Sequence, residues 1–274
     1  MNEPQGIAGW LTRPFRTGGP IVPVVRLHGV ITAETRPGRL NIQSVAPLLD
    51  RAFRMKAGTV AIIVNSPGGS PVQSRLIAKR IRDLATESGK RVLVFVEDAA
   101  ASGGYFIATA GDEIIADPSS IVGSIGVIFA GFGFPRALDK LGIERRVHTA
   151  GKNKSTMDPF LPEKSEDIER IKALESDIHQ VFIDWVKSRR GSKLAASDDE
   201  LFTGEFWSGV RGLELGLIDG LGDLHETLRR RFGDKVRIRV IEPKRGLFQL
   251  PRLGLAADIA AALEDRAHWT RLGL

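Results

Sequence analysis

Apolar runs and amphipathic stretches alternate along the first half of the chain. Ile21–Thr32 (IVPVVRLHGVIT) reads as a strand, followed by a loop with Pro37 and Gly38. Residues 41–55 place Ile42, Val45, Leu48, Leu49 and Phe53 at helical spacing. Thr59–Val64 is an apolar run suited to a buried strand, and Pro71–Ser88 returns to helical periodicity with Leu76, Ile77, Ile81 and Leu84 on one face. Lys90–Val96 predicts another buried strand, and a helical stretch over Tyr105–Ala110 follows a run of small residues. Strands and helices in this rhythm imply an α/β fold with crossover connections.

After Ile128 the pattern loosens. The loop AGFGFP precedes a short helix near Arg136–Leu141 and a strand near Glu144–His148, and residues 150–160 are polar and turn-rich. Glu163–Arg190 predicts the longest helix, with Ile168, Ile171, Leu174, Ile178, Val181, Phe182 and Trp185 as its apolar stripe. Its acidic start, basic end and terminal Gly191 agree with the helix dipole. Phe202–Gly222 is glycine-rich and turn-like, Asp223–Phe232 reads as a helix and Val236–Ile241 as a late strand. The expected organisation is a leader over residues 1–20, one domain over 21–242, and a tail over 243–274 with an amphipathic helix at Ala256–Leu263.

Composition narrows the function classes. With 274 residues, 42% hydrophobic and 26% charged, the chain is an ordinary globular one. No apolar run reaches the length of a membrane span, and the N-terminus lacks the apolar core of a secretory signal. The expected location is the cytoplasm or the surface of the inner membrane. Ile7, Trp10, Leu11 and Phe15, interleaved with Arg13 and Arg16, suit a membrane interface or a neighbouring subunit. Cysteine is absent, which excludes disulfides, thiolate metal sites and a cysteine nucleophile. The net charge of +6 is concentrated in clusters such as Arg229-Arg230-Arg231. Such clusters suit anionic lipid, acidic partners or plain solvation, and no nucleic-acid partner is expected.

The candidate chemistry centres on residues 97–128. A buried strand, the small residues Ala99-Ala-Ala-Ser-Gly-Gly104 and a helix can present the Ser102 hydroxyl at a helix N-terminus beside free backbone N–H groups. Equally, Ser102 could simply cap the helix. Acyl transfer needs a nucleophile, a base and donors for an oxyanion. Pro67-Gly68-Gly69, also following a buried strand, can aim backbone N–H groups outward, although a glycine turn alone can equally end a strand or cradle phosphate. The phosphate reading lacks its Gly-Lys-Ser/Thr signature. Of the five histidines, His179 and His225 fall in amphipathic helices and His28 on the first strand, where structural roles are commoner. A lysine serves as a base where burial depresses its pKa, and Lys152 and Lys154 lie in the turn-rich stretch after the strands, where solvated loop lysines are the commoner outcome.

Five ordered blocks resemble the signal peptide peptidase A family of Ser–Lys proteases: Asn65-Ser-Pro-Gly-Gly69, Ala101-Ser-Gly-Gly-Tyr105, Gly123-Ser-Ile-Gly-Val127, Gly151-Lys-Asn-Lys-Ser155 with Asp158-Pro-Phe160, and Gly216-Leu-Ile-Asp-Gly-Leu-Gly222. The resemblance covers residues 21–242. It implies a Clp protease/crotonase-like spiral of ββα units, a single domain with a helical extension. It also implies Ser102 as nucleophile, Lys154 as general base, Ser124 as the hydroxyl orienting the lysine, and Gly69 and Gly103 as oxyanion donors. Lys152 matches no required position and reads as a surface residue.

Gly68, Ala101 and Val122 are expected to line the substrate site. The apolar neighbours Ala99–Ala101, Ile121, Val122 and Val127 point to small or medium apolar side chains before the scissile bond. The implied substrate is an extended hydrophobic peptide, such as a signal-peptide-like or membrane-protein fragment, cleaved through an acyl-enzyme with no metal or cofactor. The family forms closed rings, and one copy of the domain per chain implies a homo-oligomer, an octamer by preference. Many members carry an N-terminal membrane anchor that this sequence does not show. Rival readings are a Clp-type Ser-His-Asp peptidase, for which the His-Gln-Pro signature is missing, a crotonase-type acyl-CoA enzyme, and an inactive peptide-binding or membrane-organising scaffold.

Overall fold

The computed structural model describes residues 18–36, 38–151, 153–243 and 266–274. The first half is a regular alternation: β1 (Ile21–His28), α1 (Ile42–Arg54), β2 (Thr59–Ser66), α2 (Pro71–Ser88), β3 (Arg91–Ala101), α3 (Gly103–Ala108), β4 (Glu113–Ala116) and β5 (Ile121–Gly123). The second half holds α4 (Pro135–Leu141), the long α5 (Ser165–Arg190), α6 (Asp198–Leu201), β6 (Phe206–Ser208), α7 (Gly209–Glu214), β7 (Gly220–Leu221), α8 (Leu224–Phe232) and β8 (Arg237–Val240). Most of the tail, including Ala256–Leu263, and nearly all of the leader lie outside the described residues.

The eight strands form one sheet in the order β6-β5-β3-β2-β1-β8, with β4 beside β3 and β7 beside β4. All pairings are parallel except β5 with β6. Parallel strands covered on both faces should be apolar throughout, and β2 is buried along its whole length. One face packs on α1 and α2 through Val45, Leu49, Ile77 and Ile81. The other carries Val24, Ile63, Phe95 and Ile115 under Leu228 of α8. Asn41 caps α1 reciprocally with Ser44. Ser70 caps α2, whose first residue is Pro71 and which ends on Gly89 in the left-handed conformation.

β3 is the branching strand. Its first half pairs with β4 (Leu93↔Glu113 to Val96↔Ala116), and its last three residues pair with β5 (Ala99↔Ile121 to Ala101↔Gly123). It therefore runs five residues beyond the predicted end at Val96, because Ala99–Ala101 gain a partner that the sequence pattern does not reveal.

Two further expectations fail. No strand forms over 144–148: these residues are exposed, and no sheet edge receives them. The glycine-rich stretch 202–222 is not merely turns, since it supplies β6, α7 and β7 to the sheet and its cover. The long helix forms as predicted, but Phe182 and Val186 are its buried apolar side chains, while Leu174 and Val181 of the expected stripe are exposed.

Candidate active site

Ser102 sits between β3 and α3 with φ 52 and ψ −120. A non-glycine residue held there stores about 1–3 kcal/mol of strain, which its surroundings must offset. They do so on three sides. Its N–H donates to Gly123 O at 2.8 Å, Phe106 N–H donates to its carbonyl at 3.0 Å, and Gly68 abuts it so closely that a Cβ on Gly68 would lie 2.8 Å from Ser102 Cβ. The Ser102 side chain makes no capping hydrogen bond. The capping role is thus ruled out, and the hydroxyl is left for other work.

The loop after β2 is built against this turn. Ile31 forms parallel bridges with both Leu40 and Gly69, the latter through Ile31 N–H to Gly68 O (2.8 Å) and Ser70 N–H to Ile31 O (2.7 Å). In that pattern Gly69 N–H faces away from Ile31. It has no acceptor among the described residues, and neither does Gly103 N–H in the first turn of α3. A side chain is excluded at each: a Cβ at Gly69 would strike Ile31 O, and one at Gly103 would strike Ser74 Oγ. Two backbone donors without acceptors among the described residues thus flank the serine turn, an arrangement that an oxyanion can use.

Asn65 carries a role that sequence reasoning missed, although it opens one of the five blocks. The β2–β3 register jumps from Val64↔Val96 to Ser66↔Ala100, leaving extra residues on β3. Asn65, 4% exposed, stitches this bulge: its Oδ1 accepts Ala99 N–H (3.2 Å) and its Nδ2 donates to Asp98 (2.5 Å). Its carbonyl accepts Gly29 N–H at 2.9 Å. The only available signal was an amide at the end of an otherwise apolar run.

The block at 216–222 clamps α3 from below. Tyr105 Oη donates to Leu217 O (2.7 Å), and burial pushes its phenol well above the usual range. Arg190, read from sequence as a dipole-matching cation, is 4% exposed. It donates through Nε and Nη2 to Gly216 O and through Nη1 to Asp219 (2.7 Å). Burial alone would raise the Asp219 carboxyl, but hydrogen bonds from Arg190 and Lys193 outweigh it and hold the group below its ordinary value.

Of the other sequence-selected residues, Ala101 and Val122 are buried on adjacent strands beside Ser102. Ser124 follows β5 directly, has φ 53, and donates its N–H to Glu205 O at 2.6 Å. His179 is structural, its Nε2 meeting Ile125 O at 3.0 Å. Lys154 differs from all of these. It lies on an exposed turn, its N–H bonded to Gly151 O (3.2 Å), and its amine has no hydrogen-bond or ion-pair partner among the described residues. No hydrogen bond links Ser102, Ser124 and Lys154 side chains. Lys152 is outside the described residues.

Lys154 belongs to an arm, residues 126–166, in which no described residue is buried. Ile128, Phe129, Phe132 and Ile143 are all more than half exposed, Phe132 at 82%. Local contacts give the arm its own shape: Phe134 and Phe160 rings meet at 5.7 Å, Arg145 lies over Phe160, and Arg145 pairs with Asp158 at 2.6 Å. A cavity of about 580 Å³ opens between Phe129–Phe134 and Ser155–Asp167.

The model of peptidase family S49 matches residues 85–235. Two Brucella proteins named Na(+)/H(+) antiporter NhaA are 56% identical over 96% of this chain, which spans 38% of their length. The chloroplastic serine protease SPPA of Arabidopsis thaliana is 31% identical over 82% of this chain and 34% of its own, and Protease 4 of Salmonella typhi is 29% identical over 80% and 35%. Among solved structures, the 1510-N membrane-bound stomatin-specific protease superposes with a TM-score of 0.54 at 19% identity, covering 82% of this chain and 99% of that one. A lysine-to-alanine variant of that protease, in complex with a substrate peptide, also gives 0.54, at 20% identity and with 94% of its chain covered. These structures carry the same α/β fold. With the family model spanning more than half of its length and the motif blocks in order, this chain belongs to peptidase family S49, the signal peptide peptidase A-like family.

Proposed function

We propose that this chain is a serine endopeptidase that cleaves extended hydrophobic peptides through a Ser102–Lys154 dyad. The observation that carries the reading is the strained Ser102 turn with the unpartnered N–H groups of Gly69 and Gly103 beside it. Lys154 takes the proton from Ser102 Oγ as the oxygen attacks the scissile carbonyl carbon. The negative charge developing on the carbonyl oxygen falls to Gly69 and Gly103 N–H. As the tetrahedral species collapses, the C–N bond breaks and the lysine returns its proton to the departing amine. Water, deprotonated by the same lysine, then hydrolyses the acyl-enzyme. Ser124 orients the amine. Gly68, Ala101 and Val122 line the approach, which suits small or medium apolar side chains.

The exposed arm supports a further element of the reading. A lysine without a partner on a segment without buried residues needs another surface to fix it, and a neighbouring copy in a closed ring, an octamer by preference, supplies one. The name of the Brucella relatives does not extend to this chain, which spans 38% of their length. No described helix is long and apolar enough to cross a membrane.

Labelling with a fluorophosphonate probe and mapping the modified peptide tests the nucleophile. Modification at Ser102, lost in Ser102→Ala, is expected; a labelled serine elsewhere overturns the assignment. Replacing His148 should leave peptide cleavage near the wild-type rate; its loss in that variant would favour histidine as the base.

A further inference from the structure

One buried hydroxyl close to Ser102 takes no part in the proposed dyad. Ser74 lies in the first turn of α2, fully buried, on a face whose other buried residues are Ile77, Ala78, Ile81, Leu84 and Ala85. Its Oγ donates to Ser70 O at 2.8 Å. The helix does not need this bond, because Ser70 O already accepts the Ser74 N–H at 3.0 Å. A serine bonded back in this way slightly weakens a helix, and alanine is the better helix former. The reason for a hydroxyl here therefore lies outside α2.

It lies at Gly103. The hydrogen that this glycine carries in place of a Cβ faces Ser74 Oγ, so closely that any side chain at 103 would strike it. Ile31 Cδ1 stands 3.2 Å from the same Cβ position. Both neighbours are tied to the connection that holds Gly69. Ser74 is bonded to Ser70 O, and Ile31 is bonded to Gly68 O and Ser70 N–H. Gly103 is thus spaced from Gly69 by two side chains whose residues are anchored on either side of Gly69. The rest of α3 is held by different contacts, with Tyr105 Oη on Leu217 O and Gly104 packed on Ser66.

We infer that Ser74 is a positioning residue for the oxyanion site, setting the Gly103 N–H against the Gly69 N–H so that both reach one carbonyl oxygen. This rests on the peptidase reading, with Gly69 and Gly103 as the oxyanion donors. Two donors on separate connections stabilise a developing charge only when each lies ~2.7–3.1 Å from where the oxygen will stand. A small displacement of one of them weakens the transition state and leaves ground-state binding in place.

Peptide cleavage is measured in the wild type, Ser74→Ala, Ser74→Thr and Ser102→Ala, together with binding of a peptide aldehyde, which adds to a serine nucleophile and places its oxygen in the oxyanion site. Ser74→Ala is expected to lower kcat about tenfold, a part of the ~10²–10³-fold cost of losing a donor outright. KM should stay within about twofold, and aldehyde affinity should fall by about the same factor as kcat. The melting temperature should equal or exceed that of the wild type, since the deleted hydroxyl leaves no buried group without a partner. Ser74→Thr keeps the bond to Ser70 O and should retain about half or more of the wild-type kcat. Wild-type kcat and aldehyde affinity in Ser74→Ala overturn the inference, as does a change confined to KM. A loss of kcat that comes with a lowered melting temperature also overturns it, because Ser74 would then be a packing residue. So does an equal loss in Ser74→Thr, which would detach the effect from the hydroxyl. Cleavage that persists in Ser102→Ala would remove the peptidase reading itself, a result that the Ser74 variants cannot produce.

Discussion

The two halves of the proposed dyad stand on different kinds of structure. Ser102 is held by the interior: backbone bonds to Gly123 and from Phe106, the Gly68 backbone against its Cβ, and buried strands on either side. Lys154 stands on an arm in which no described residue is buried, held together by local ring contacts and the Arg145–Asp158 ion pair. The proposed nucleophile and oxyanion donors are therefore set once the sheet forms, whereas the proposed base depends on whatever the arm packs against. A site divided in this way can be complete in structure on one side and conditional on the other.

The dyad variants bear most heavily on that division. Ser102→Ala and Lys154→Ala should each lower peptide cleavage by about 10⁴-fold or more, with the double variant no worse than either. Thermal melting should barely change, since neither side chain bonds to anything described. A Lys154→Ala enzyme at wild-type rate would remove the arm from the chemistry. Assembly comes next. A species dissociated to the 29.9 kDa chain should lose most of its cleavage while Ser102 stays folded, as light scattering coupled to gel filtration and melting curves would establish. A monodisperse, fully active monomer would mean that the arm needs no neighbour.

Two glycines with nearly the same φ compare the regions directly. Gly68 (φ 105) has Ser102 Cβ and Ala101 O within 3 Å of a built Cβ, whereas Gly151 (φ 103) has nothing within 4 Å. Gly68→Ala should cost about 3 kcal/mol or more in urea unfolding, against about 1 kcal/mol for Gly151→Ala. Equal costs would mean that the packing around Ser102 yields as readily as the arm. Asn65→Asp should cost about 2 kcal/mol, by placing a second carboxylate against Asp98. The reciprocal pair Asn65→Asp/Asp98→Asn restores a donor and an acceptor and should recover more than half of that. No recovery would mean that the stitch across the bulge is not what holds β3.

The smallest effect concerns acid. Asp219 is held below its ordinary carboxyl value, so its contribution to stability is full above about pH 4, the unfolded value, and is lost as pH falls through the lower folded value. Melting temperature should drop by a few degrees across that window. Asp219→Asn should start lower and lack this component of the drop. A parallel drop in the variant would assign the acid sensitivity elsewhere.

What could be read from the sequence follows the same boundary. β1, β2 and the start of β3 are visible because strands buried on both faces are apolar without a break, and α1 and α2 because each has one dry side. Ser102, Gly68 and Gly69 stood out in the sequence as candidates because small residues follow two buried strands, although a helix cap or a strand-ending turn has the same pattern. The strained Ser102 backbone becomes visible only in the fold. The extension of β3 to Ala101 was not legible, since alanines become strand only through their pairing with β5. Arg190 and Asn65 were hidden for a related reason. A cation at a helix end and an amide after a strand look the same in sequence whether solvated or buried, and only the 216–222 block and the β3 bulge decide. Residues 144–148 erred in the other direction: their side chains suit a strand, but no edge lies within reach.

The pairing of β1 with β8 has a consequence for how the protein is made. Ile21 and Arg237 come from opposite ends of the domain, so during synthesis β1 leaves the ribosome long before its outer partner exists. Until the last strand emerges, β1 can pair with β2 while its other side remains an open parallel edge able to template a foreign strand. Closure of such a distant contact comes late and slowly. A nascent chain stalled before residue 237 would have its serine turn assembled and its sheet unsealed, which makes this interval the one in which a growing copy most needs shielding from its neighbours on the same message.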